Sequence, residues 1–214
     1  MHKSKRFLRL SLRTLLVLLT LSCLWLGKIS IDAKRQKEAV AWVEKNGGRV
    51  QYDWHSTAPT PPGPEWLREL IGPHYFQTVK GVFLNQTHAK SFSQISEFSD
   101  LEALVLPGGR LSTLTPLADL TSLKFIVLEG CQIEDVRPLT GLTELVSLDL
   151  NDNRIKDIGP LAGLTKMRFL MLMNNSITDT TPLKDLQKLE AVWLEGNPIT
   201  DFDRTLPVIQ LKTK

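Results

Sequence analysis

From Val79 onward the apolar positions of this 214-residue chain fall into a repeat of 22 residues that never slips. Six units begin at Val79, Leu101, Leu123, Leu145, Met167 and Leu189. Within each unit the fourth place holds Val82, Leu104, Ile126, Leu148, Leu170 or Val192, and the sixth holds Leu84, Leu106, Leu128, Leu150, Leu172 or Leu194. Apolar residues return at the eleventh place (Ala89, Leu111, Ile133, Ile155, Ile177, Ile199) and the twentieth (Phe98, Leu120, Leu142, Leu164, Leu186, Val208). This spacing predicts a short strand over the third to seventh places of each unit. Its fourth and sixth side chains point one way and its third, fifth and seventh the other. A single unit cannot shield its own apolar face, so the strands must stack into a parallel sheet, each buried Leu contributing about 1.5 to 3 kcal/mol.

The spacing fits the template L-x-x-L-x-L-x-x-N/C-x-L, with Thr87, Cys131, Asn153, Asn175 and Asn197 among the ninth-place residues. Those side chains turn the backbone away from the strand, and the asparagines are expected to satisfy backbone groups of the next unit. Pro116, Pro138, Pro160 and Pro182 precede Leu117, Leu139, Leu161 and Leu183. On these residues the chain resembles leucine-rich-repeat proteins, and in its 22-residue units the bacterial internalin-like subclass, over residues 79–210. The resemblance implies an α/β solenoid of six repeats with short parallel strands on its concave face. The ends depart from the pattern: unit one has Thr87 at the ladder place and no proline before Ile95, and unit six has Arg204 where proline belongs. Only residues 196–214 follow the sixth unit's strand, so the carboxyl-terminal end reads as thinly capped and open to pairing with another molecule.

Upstream, Lys3, Lys5, Arg6, Arg9 and Arg13 precede a charge-free run at residues 15–27. As a helix, residues 14–27 reach about 21 Å and extension to Ile31 about 27 Å, against roughly 30 Å of hydrocarbon. With Arg13 and Lys28 snorkelling, a single-pass signal anchor over residues 1–31 is the expectation, placing the body outside the cytoplasm. Secretion after cleavage is the competing reading. Residues 32–78 read as a linker and small cap. They hold a helix over 33–46 stopped by Gly47 and Gly48, a strand over 49–54, a proline-rich loop over 55–64 and a two-turn helix over 65–71. Trp42, Tyr52, Trp54 and Trp66 are expected to pack under that cap. These first 78 residues also resemble membrane-anchored repeat proteins of planctomycete-type bacteria.

Overall composition is that of a globular protein, 42% hydrophobic and 23% charged. The formal net charge of +3 is uneven. Residues 1–50 carry eleven Lys and Arg against three Asp and Glu, whereas residues 51–214 carry fifteen against twenty, so the body is mildly acidic and no nucleic-acid footprint is expected. Two cysteines, Cys23 and Cys131, allow no disulfide framework. The histidines, at 2, 55, 74 and 88, share no metal-ligand spacing, and no nucleophile elbow, P-loop or zincin motif occurs. The segment from Asp149 to Asn153 mimics the start of a calcium loop but puts Arg154 at the glycine place and Pro160 at the bidentate glutamate place. Asn85 and Asn174 head glycosylation sequons at loop-forming positions. No catalytic residue, metal or cofactor is expected.

The remaining candidate is the concave strand face. Its fifth places read Phe83, Val105, Val127, Asp149, Met171 and Trp193, with Phe125 and Phe169 at third places and Glu129, Met173 and Glu195 at seventh places. A contiguous apolar patch marks an interaction surface, Trp is a preferred anchor, and the carboxylates, Asp152 included, favour a partner with basic groups. The expectation is a non-catalytic, membrane-tethered module binding a protein or peptide. The alternative is a structural protein that associates with itself as a homodimer.

Overall fold

The computed structural model describes residues 12–56, 60–84, 92–111, 113–200 and 208–210. Thr87, Ala89, His2, His88, the Asn85 sequon and Arg204 lie outside the described residues. The order is α1 (Leu12–Lys45), β1 (Arg49–Tyr52), α2 (Glu65–Ile71), β2 (Val79–Phe83), β3 (Ala103–Val105), β4 (Phe125–Val127), β5 (Ser147–Asp149), β6 (Phe169–Met171), β7 (Ala191–Trp193) and β8 (Val208–Gln210). All eight strands form one sheet in sequence order, β1 antiparallel to β2 and every later pair parallel.

The 22-residue phase is the register of this sheet. Leu104 pairs with Ile126, Ile126 with Leu148 and Leu148 with Leu170, each partner one repeat away. From β3 to β7 the repeat strands are three residues long, shorter than the five expected, because the chain already turns at the sixth place. The ladder nevertheless continues: Leu106, Leu128, Leu150 and Leu172 donate to Val127, Asp149, Met171 and Trp193 of the following unit at 2.8–2.9 Å. At the eighth place the backbone enters the left-handed region, with φ of 69° at Gly108, 65° at Gly130, 55° at Asp152, 53° at Asn174 and 78° at Gly196. Gly, Asp and Asn are the residues that tolerate this conformation.

The sixth-place leucines are all buried, at most 1% exposed. The core is a stack of eight rows per unit; in unit three these are Leu123, Ile126, Leu128, Cys131, Ile133, Val136, Leu139 and Leu142. The fourteenth-place row (Leu114, Val136, Ile158, Thr180) was not foreseen. The convex side is built from 3-10 turns, Thr115–Leu117, Arg137–Leu139, Gly159–Leu161 and Thr181–Leu183, each with its proline in the first turn. Proline suits that place because its missing N–H has no partner to lose there. Within the described repeats the outer wall therefore has no α-helix, a correction to the α/β expectation. The two α-helices belong to the amino-terminal part.

There, the expected boundary between anchor and linker is absent: α1 runs 34 residues without a break. Its second half buries Ala33, Ala39, Val40 and Val43 against the start of the solenoid, joined by the Tyr75 hydroxyl to Ser30 at 2.9 Å and the Gln36 amide to the Gln77 carbonyl at 2.9 Å. Gly47 ends it with φ 72°. Gly48 is required next, since a Cβ there would lie 2.6 Å from Leu84 Cδ2 and 2.8 Å from the Phe83 carbonyl oxygen. In the first half Leu16, Val17, Leu19, Leu21 and Leu24 are each more than half exposed. Charges resume at Lys28, Asp32, Lys34 and Arg35, and among the described residues no helix is long and apolar enough to cross a membrane.

Trp42 and Tyr52 pack against the core as expected, but Trp66 is 65% exposed. α2 buries none of its residues; Arg68 ties it instead to the Pro61 and Gly63 carbonyls, both at 2.6 Å. At the other end β8 pairs with β7, so the sixth unit's strand is not the sheet edge that the repeat pattern suggested, and Val208 belongs to β8 and not to a sixth twentieth-place row.

Candidate interaction surface

The strand register gathers the third, fifth and seventh places into a grid. Adjacent strands lie about 4.8 Å apart, so the face spans roughly 24 Å from β2 to β7. Across its middle, β4 presents Phe125 and Val127, β5 Ser147 and Asp149, and β6 Phe169 and Met171, paired one to one along the strands, with Glu129, Asn151 and Met173 two residues beyond the respective strand ends. Phe125 is 49% exposed. Val127, Phe169, Met171, Met173 and Trp193 are half-buried, and Glu195 sits beside Trp193 at the same level while Glu129 is exposed. Phe83 is at the edge of this surface and engaged by the cap: its ring lies over Gly81, where a Cβ would come within 2.8 Å of it, and under the Arg49 guanidinium at 5.2 Å.

Asp149 is half-buried at the centre. The Asn151 N–H donates to its carboxylate at 3.0 Å. Burial pushes its carboxyl above the usual range, the Asn151 bond opposes that, and the charge of Asp152 adds to it. Asp152 accepts a bond from the Asn174 amide at 2.8 Å, and the Asn151 side-chain oxygen accepts the Met173 N–H at 2.8 Å.

Beneath the face runs the ladder. The Asn153 side-chain oxygen accepts the Ile133 N–H at 2.9 Å, and its amide donates to the Leu128 and Leu150 carbonyls at 2.9 and 3.0 Å. Asn175 repeats the arrangement with Ile155, Leu150 and Leu172, as does Asn197 with Ile177, Leu172 and Leu194. The asparagines thus reach back to the preceding unit, the reverse of the expected direction, because the turn at the ninth place folds beneath the strand already laid down. Cys131 takes the same place with its thiol 3.1 Å from the Leu106 carbonyl, and burial raises it to about 11.

A rank of ion pairs borders the grid and was missed, although opposite charges spaced 22 residues apart carry the signal. Glu102 bridges Lys80 at 3.2 Å and Lys124 at 2.6 Å; Lys166 meets Glu144 and Arg168 meets Glu190, both at 2.6 Å. The Lys124 bond holds the Glu102 carboxyl below its usual range. Arg168 also sits 5.3 Å over the Phe169 ring. Among the described residues no group of three or more His, Cys, Asp or Glu could hold a metal ion.

The family model for leucine-rich repeats in two copies matches residues 121–163 and 143–185. No curated protein matches. Among solved structures, an internalin (inlF) from Listeria monocytogenes str. 4b F2365 is 35% identical with a TM-score of 0.54, over 56% of this chain and 35% of that one. An internalin C2 (inlC2) from the same strain is 26% identical with a TM-score of 0.49, over 63% of this chain and 80% of that one. The chain thus spans about a third of the inlF chain. The periodic register, the asparagine ladder and the family match over residues 121–185 make the repeat region a leucine-rich-repeat solenoid, similar in fold to the inlF structure.

Proposed function

We propose that this protein is a non-catalytic binding module that holds a protein or peptide partner on its concave sheet. The observation that carries the reading is the composition of that face: Phe125, Val127, Phe169, Met171, Met173 and Trp193 stand on one surface that the fold leaves open, with carboxylates among and beside them. Large apolar side chains on an accessible sheet, rimmed by charge, have the make-up of an interface core and its polar border. The triple variant Phe169→Ala, Met171→Ala, Trp193→Ala should abolish cross-linking to native partners while leaving the fold unchanged by circular dichroism. Undiminished cross-linking sinks the concave-face reading.

The module is tethered to a membrane through the apolar first half of α1, with the repeats outside the cytoplasm, in the manner of the planctomycete-type repeat proteins that its amino-terminal region resembles. The exposed leucines of that half support this, since a contiguous apolar surface of this kind suits contact with a membrane. Alkaline carbonate should leave the full-length chain with membranes; its release into the soluble fraction would sink the tether.

A further inference from the structure

We propose that the centre of the concave face is a receptor for one cationic side chain, a Lys or Arg of an extended partner segment, seated between Phe125 and Phe169 with Asp149 as its counter-ion. The proposal rests on the concave-face reading above and names the chemistry of the partner it takes.

Three observations converge on it. The first is shape. Ser147 lies between Phe125 and Phe169 in the strand register, so two aromatic side chains stand about 10 Å apart at their backbones over a small residue. That leaves a notch one side chain wide, walled by rings that favour an aliphatic stem or a cation. The second is the end of the notch: the next outward side chain along β5 is Asp149. Its neighbours across the sheet, Val127 and Met171, are uncharged, and it is the one charged residue in the fifth-place row from Phe83 to Trp193. A partly desolvated carboxylate among apolar groups is costly unless paired.

The third is the state of the protein's own cations. Those beside the face already have carboxylates: Lys80 and Lys124 share Glu102, Lys166 holds Glu144 and Arg168 holds Glu190. Among the described residues no Lys or Arg bridges to Asp149, whose carboxylate takes the Asn151 N–H and feels the like charge of Asp152. The grid therefore presents an unneutralised negative charge in an apolar setting, and the complement is a single positive group flanked by apolar residues. Beyond the notch, Met171, Met173 and Val127 would receive those flanking side chains.

The test uses the full-length chain in detergent micelles, panned against a phage library of random dodecapeptides. Enriched peptides should carry Lys or Arg with an apolar residue on either side. For a synthetic peptide from that set, measured by fluorescence anisotropy, Asp149→Asn should weaken binding at least 10-fold. Replacing the peptide's basic residue with norleucine should weaken wild-type binding equally, with no further loss in the combined pair. Ser147→Phe, which fills the notch without touching the carboxylate, should also abolish binding. Enriched peptides without a basic residue, or unaffected by Asp149→Asn yet lost in the Phe169, Met171, Trp193 triple variant, overturn the cation receptor and leave the concave-face reading standing. Peptides that still bind the triple variant, or no enrichment at all, overturn both. A dimer seen by light scattering that Asp149→Lys dissociates would assign the cation to a second copy of this chain and overturn the partner segment.

Discussion

Removing the Asn175 side chain tests the ladder more sharply than any core truncation, because its hydrogen bonds can be followed one by one. In Asn175→Ala the Leu150 carbonyl keeps the Asn153 amide, the Leu172 carbonyl keeps the Asn197 amide, and the Met173 carbonyl keeps the Asp152 N–H. The Ile155 N–H is left without the oxygen that accepts it at 3.0 Å. One buried orphan donor costs about 1 to 3 kcal/mol, and the weakened carbonyl bonds bring the expected loss to about 2 to 4 kcal/mol. It should appear as a lower urea midpoint with an unchanged slope. Asn175→Asp should cost more at neutral pH, because it retains the acceptor but turns a carboxylate towards three carbonyl oxygens. Asn197→Ala should cost less, its side chain being only half-buried. A loss below about 0.5 kcal/mol for Asn175→Ala, or an aspartate as well tolerated as asparagine, would refute the reasoning.

Leu148, fully buried at the centre of the sheet, should lose about 2 to 5 kcal/mol on truncation to Ala by the same denaturation assay. Gly196→Ala should lower the thermal midpoint, since φ is 78° and the new Cβ would collide with the Asn174 side-chain oxygen. Asp149→Asn should raise it at pH 7: with the folded carboxyl held above its ordinary value, the unfolded chain ionises first, so stability falls as pH rises through that window and stays lost above it. The gain should vanish near pH 3, where both states are protonated; a gain that persists there would contradict the cause. Cys131, buried and raised to about 11, should be alkylated by iodoacetamide at pH 8 only after unfolding, and mass spectrometry of native protein showing it labelled would place the thiol elsewhere.

The repeat body was legible because the fourth- and sixth-place rows are each written six times at one spacing, so an accidental Leu at one place does not alter the phase. Pro116, Pro138, Pro160 and Pro182 marked the corners, though not that the corners are 3-10 turns, a matter of backbone geometry that periodicity does not distinguish from a short α-helix. The backward reach of Asn153 follows from how one coil lies over another, which no single unit contains. α1 was divided because hydropathy changes near residue 31, whereas helix continuity depends on the absence of Gly and Pro between Lys28 and Asn46. β8 was hidden because its spacing from β7 breaks the period, and the exposure of Trp66 because a two-turn helix gives no reliable facing signal. On the concave face the alternate places of each unit were legible as rows, but the placing of Phe125 and Phe169 on either side of Ser147 needed the lateral register, since the two are 44 residues apart in sequence.

The most direct test of the account is site-specific photocross-linking in native membranes, with benzoylphenylalanine placed singly at concave Val127 or Met171 and at convex Thr140 or Lys184. The two concave sites should give a shared protein adduct and the convex pair none. Adducts from the convex sites alone would contradict it.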